Sequence, residues 1–113
     1  MTVLWTEQFE NDVDYYFRKK KYRQIFVDIE RVTTELEKGN LVGDELEDIC
    51  VDGRTFKVRV ANSSAKVGKS NGFRLIYYVV QDNTAYLLTI YSKKDDVKIP
   101  TDSEIRNIIK KIQ

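Results

Sequence analysis

Between Thr55 and Gln81 the chain carries five basic residues, Lys57, Arg59, Lys66, Lys69 and Arg74, and no acid. Lys57 and Arg59 are two apart, so on a strand both project from one face. Arg74 belongs to the next apolar run, which an antiparallel hairpin would bring alongside. Lys93 and Lys94 follow the run after that. Converging cations suit phosphate chemistry. Guanidinium forks stabilise the charge that builds on a phosphorane-like transition state, and crowding by like charges lowers a lysine's pKa until it can serve as a base. Such a site could cut RNA without histidine: a lysine takes the 2′-hydroxyl proton while arginines hold the scissile phosphate. Lys66 and Lys69, in a polar loop, could add contacts to the RNA backbone. Tyr77, Tyr78 and Tyr91 offer rings on which a base could stack.

The residue inventory excludes most other chemistry. With no histidine there is no histidine acid–base pair, no Ser-His-Asp triad and no histidine zinc site. The single Cys50 removes thiolate metal sites and a disulfide framework. It sits in an acidic stretch, the wrong surroundings for a reactive thiolate. Gly68-Lys69-Ser70 echoes the end of a P-loop, but no glycine stands five residues earlier. No metal or cofactor is implied. No apolar run approaches a membrane span and Met1 to Glu10 has no signal-peptide pattern, so the reading is of a cytoplasmic protein.

Each candidate also has a plainer explanation. Alternating Lys57 and Arg59 is the pattern of any solvated sheet face. A mid-strand Arg74 needs a partner, and a structural acid would serve as well as a substrate. Tyrosines more often pack in cores than stand open. The residues alone specify a basic-faced domain with a capacity for RNA.

The elements that must position these cations can be read from hydrophobic period. At 113 residues the chain fits one domain, 1–113. Residues 1–55 carry a net charge of −5 and residues 56–113 a net charge of +6, so a total of +1 conceals a segregated basic half. Thr2 to Trp5 reads as a strand, and Thr6 caps a helix with Glu7 and Glu10 in its first turn. Phe9, Val13, Tyr16 and Phe17 recur at helical spacing. A second helix places Tyr22, Ile25, Phe26, Ile29, Val32 and Leu36 on one face, with Gly39-Asn40 ending it. Residues 41–55 read as a connection without clear period. The period then changes to two at Phe56, Val58 and Val60. Gly72 to Val80 and Thr84 to Ser92 are apolar on both faces, as central strands are, joined by the tight turn Gln81-Asp82-Asn83. After Pro100, Thr101 and Glu104 have capping-box spacing ahead of the stripe Ile105, Ile108, Ile109, Ile112. The expected fold class is α+β: a strand and helical hairpin packed on a mostly antiparallel sheet, with a terminal helix.

Three strand motifs occur in order: Phe56-Lys57-Val58-Arg59-Val60-Ala61, then Gly68-Lys69-Ser70-Asn71-Gly72-Phe73-Arg74-Leu75-Ile76-Tyr77-Tyr78, then Tyr86-Leu87-Leu88-Thr89-Ile90-Tyr91-Ser92-Lys93. As a set they resemble the RelE/HigB toxins of the RelE/ParE toxin–antitoxin superfamily, and the N-terminal layout agrees. The resemblance implies a RelE-like fold of the microbial ribonuclease type. It also implies a toxin that enters the ribosomal A site and cleaves translated messenger RNA. Carried over by position, Lys57 becomes the candidate general base, and Arg59 and Arg74 stabilise the transition state. Lys93 and Lys94 fall where the family places further basic or polar residues, though Asp95-Asp96 follows them. The implied partner is an antitoxin with a helix-turn-helix or similar DNA-binding domain, landing on apolar surface left by the helices. DNA contact would come only through that partner. Two rivals remain: a ParE-type relative that poisons gyrase, which has no need of a cationic face, and a non-catalytic RNA-binding module whose cations only anchor phosphates.

Overall fold

The computed structural model of the chain describes residues 1–49, 52–81, 83–95 and 98–112; the lone Cys50 lies outside them. The chain runs β1 (Thr2–Trp5), α1 (Glu7–Arg18), α2 (Ile25–Glu37), β2 (Asp44–Leu46), β3 (Arg54–Val60), a 3₁₀ turn (Lys69–Asn71), β4 (Phe73–Val80), β5 (Thr84–Ser92) and α3 (Asp102–Ile112). The class is α+β. One five-stranded sheet has the order β1-β5-β4-β3-β2. β1 runs parallel to β5, and the other neighbours are antiparallel.

This order explains the two apolar runs. β4 and β5 lie inside the sheet, so both their faces need cover. Phe73, Leu75, Tyr77 and Val79 meet α1 and α2, while Ile76 and Tyr78 meet Ile105 and Ile109 of α3. Both caps form as their spacing requires. Thr6 Oγ1 accepts the Phe9 N–H at 3.2 Å. Thr101 and Glu104 exchange two hydrogen bonds, each 3.1 Å. At the end of α2, Gly39 adopts φ +87°, a left-handed turn that glycine enters without Cβ strain.

Two expectations need correction. Phe26 leaves the apolar face of α2 and stands 48% exposed. Ile25, Ile29, Val32 and Leu36 set the buried stripe, and Phe26 lies about 100° round the helix from Ile25. Its ring packs outside against Trp5, with centroids 6.3 Å apart, and against Phe17 at 5.2 Å. The connection 41–55 contains the edge strand β2, paired to Thr55, Phe56 and Lys57. Three residues are too few to show a period.

β1 covers β5 only from Thr84 to Leu87, so the edge beyond needs other partners. Side chains of α1 supply them. The Ser92 N–H donates to the Tyr16 hydroxyl at 2.8 Å, and the Ile90 N–H to Asp12 Oδ2 at 3.3 Å. Tyr16→Phe is expected to leave the buried Ser92 amide unpaired and cost about 1–3 kcal/mol in denaturant unfolding, whereas an edge restored by water would show no loss.

Asp12 also accepts from the Thr89 hydroxyl and, at 2.9 Å, from Gln8 Nε2. Burial pushes its carboxyl above the usual 3.8, against the pull of those hydrogen bonds and of Lys98. A raised folded pKa means that the native state binds this proton more tightly than the unfolded chain does. The contribution is full below the unfolded pKa and is lost as pH rises through the folded one. Asp12→Asn is therefore expected to flatten the fall in stability with rising pH in that window. Thermal melts of both proteins across mildly acidic pH check this, and parallel curves would refute it.

Candidate nucleic-acid interface

The register of β3, β4 and β5 sets residues in rows across the sheet: Thr55–Tyr78–Tyr86, Lys57–Ile76–Thr89 and Arg59–Arg74–Tyr91. Lys57, Arg59 and Arg74 alternate with Phe56, Val58, Phe73 and Leu75, which pack toward α1 and α2. The three cations therefore share the opposite face, the one α3 packs on. Arg59 is exposed and Lys57 half-buried. Arg59 and Arg74 are directly opposed, an arrangement that destabilises a sheet when the charges are alike.

Tyr91 reaches this face because of an irregularity. Ile76 pairs with Thr89 but Tyr77 with Leu87, leaving Leu88 as an extra residue on β5. Before this bulge Ala85 and Leu87 point toward α1 and α2; after it Ile90 does, and Tyr91 turns to the α3 side. Its ring is only 5% exposed, packed with Ile105 and Ile109. Burial raises its phenol pKa, opposed by the charge of Arg74. Tyr77 and Tyr78 are fully buried, and their hydroxyls bond to the carbonyls of Val42 and Asp52. None of the three tyrosines presents an open stacking face.

Arg74 finds neither an acid nor open solvent. At 9% exposure, its Nη1 donates to the carbonyls of Lys69 (3.1 Å) and Phe73 (3.2 Å), and its Nη2 to that of Ser70 (3.1 Å). The fork thus ties the 3₁₀ turn to the sheet and remains a cation on the strand next to Arg59. The described ion pairs, Arg18–Asp14 and Arg54–Glu45, lie elsewhere. Asp44 faces Lys57 in register, yet among the described residues no acid forms an ion pair with Lys57, Arg59, Lys66, Lys69 or Arg74.

The remaining candidates gather at the same end of the sheet. The Lys93 N–H donates to the Gly72 carbonyl at 3.0 Å, which puts Lys93 beside the start of β4. Lys94 is exposed in the turn after it, closed by Asp95 N–H to Ser92 O at 3.0 Å. Lys69 is exposed on the turn that Arg74 grips, and Lys66 is exposed on the preceding hairpin loop. No protein-family model matches the chain, and no curated protein matches its sequence.

Two residues of the site are not evident from sequence. Arg31 of α2, with the acid Glu35 one turn on, joins Arg59, Lys69, Val58 and Ala61 in lining a groove of about 250 Å³. Its place on the exposed side of an amphipathic helix gave no signal. Asp28 is fully buried on α2 and holds the basic loop; its spacing of three residues from Ile25 and four from Val32 was the available clue. Among the described residues no group of three His, Cys, Asp or Glu could hold a metal ion, and no helix is long and apolar enough to cross a membrane.

Proposed function

We propose that this chain is a RelE/HigB-type toxin, an endoribonuclease with a RelE-like fold that cuts messenger RNA as it is translated. The carrying observation is the Arg59–Arg74 pair, opposed across the sheet with no acid to neutralise it among the described residues. Stability alone disfavours this arrangement; a phosphate bound between strand and loop would neutralise it. Arg74 is fixed by three carbonyls and supplies field from the neighbouring strand, while exposed Arg59 makes the direct contact. Lys57, one row along, takes the 2′-hydroxyl proton. The 2′-oxygen then bonds to phosphorus, the bond to the 5′-oxygen breaks, and a proton passes to the leaving oxygen. The products are a 2′,3′-cyclic phosphate and a 5′-hydroxyl end.

The antitoxin of this reading lands on apolar surface. Leu4, Trp5, Phe26 and Val27, each at least 36% exposed, supply it. A second reading, a module that anchors phosphates without cutting, draws on one observation: both Nη groups of Arg74 are already committed to carbonyls. Induced expression with mapping of RNA ends separates the two. Growth arrest with cuts inside translated codons, both lost in Lys57→Ala, supports the nuclease. Binding to RNA without new ends supports the anchor, and arrest without RNA binding or cuts points to another target such as gyrase.

A further inference from the structure

We propose that Asp28 is a positioning residue, holding the basic loop 61–71 where Lys66 and Lys69 meet RNA; this rests on the RNA reading of the basic face. Asp28 is fully buried among Ile25, Ile29 and Val32 of α2, where an apolar side chain would pack at lower cost. It spends both carboxylate oxygens on Ser63. Oδ2 accepts the Ser63 N–H at 3.0 Å and Oδ1 the Ser63 hydroxyl at 2.5 Å. A second tie joins the start of α2 to the loop, from the Gln24 N–H to Ser64 Oγ at 2.8 Å.

The loop itself is a closed hairpin. Asn62 and Val67 exchange backbone hydrogen bonds of 3.1 and 3.2 Å, and the Asn62 side chain accepts the Ala65 N–H at 3.2 Å. Lys66 closes the turn at φ +58°, a left-handed conformation that glycine would adopt with less strain. Arg74 clamps the far end of the loop at Lys69 and Ser70. A buried acid and a strained lysine thus serve one loop, and both choices disfavour stability. What they fix is the position of two exposed cations relative to the Arg59–Arg74 row.

The test is a double-mutant cycle on the full chain, read by fluorescence anisotropy with a labelled single-stranded RNA of mixed sequence at low salt. Ser63→Ala and Asp28→Asn each remove part of the anchor. Each is expected to weaken binding roughly three- to ten-fold, the scale of one phosphate contact. In a Lys66→Gly, Lys69→Gln background the same anchor changes should have no further effect, because nothing remains for the anchor to place. Equal losses in both backgrounds would overturn the assignment and leave Asp28 a folding residue. If the wild-type chain binds no RNA, the RNA reading itself falls, and this assignment with it. Should Asp28→Asn fail to fold, Ser63→Ala completes the cycle alone, since the Ser63 N–H still donates to Asp28 Oδ2 when the hydroxyl is gone.

Discussion

Arg59→Ala is expected to lower RNA cleavage by about 10²-fold or more, the usual effect of deleting one preorganised charge contact to a transition state. The same change should leave the fold intact. Arg59 is exposed and forms no ion pair among the described residues, and its removal relieves repulsion against Arg74, its cross-strand partner. That relief is worth about 0.2–1 kcal/mol. A variant that is inactive and at least as stable is the signature of a residue kept for function. Cleavage assays beside denaturant unfolding measure both quantities. A stable, fully active variant would remove Arg59 from the site and favour the anchoring module.

Arg74→Ala should behave in the opposite way, losing stability first. Three hydrogen bonds from a buried guanidinium disappear together, and hydrogen bonds to a charged group are worth about 1.5–3 kcal/mol each before water compensates the freed carbonyls. A net loss of about 2–3 kcal/mol would lower the melting temperature of a domain this size by roughly 8–15 °C. Arg74→Lys keeps the charge but not the fork, so it should recover little of that stability. Activity would fall in both variants as the 3₁₀ turn and Lys69 lose their place. If Arg74→Ala melted like wild type while losing all activity, the guanidinium would be acting on substrate and not on the loop. For this reason Lys57 and Arg59 are cleaner probes of chemistry than Arg74.

Much of the architecture could be read from local pattern because local physics decides it. The caps at Thr6 and Thr101 need only a side-chain oxygen at the right spacing from an amide, and both formed. The doubly apolar runs announced central strands because a strand with neighbours on both sides and cover on both faces has no polar side to show. Lys57 and Arg59 fell on one face because pleating has period two. Phe26 was misplaced because helical spacing leaves a stripe wide enough to include it, and only the packing of Trp5 and Phe17 shows that its ring lies outside.

The sequence by itself determined the inventory: cations without histidine, their segregation in the second half, and the strands and helices that carry them. Tertiary structure decided what those residues touch. Period two alone would put Tyr91 with Ala85 and Leu87, and the extra Leu88 on β5 sends it to the face of Arg74. Arg74 solved its burial with carbonyls of a turn four and five residues away, not with an acid, and Asp28 found Ser63 across 35 residues of chain. Register shifts and long-range hydrogen bonds depend on how whole elements dock. No local window of sequence contains both Asp28 and Ser63. The carbonyls near Arg74 in sequence come within its reach only once the 3₁₀ turn has docked on the sheet, so the fold was needed in both cases.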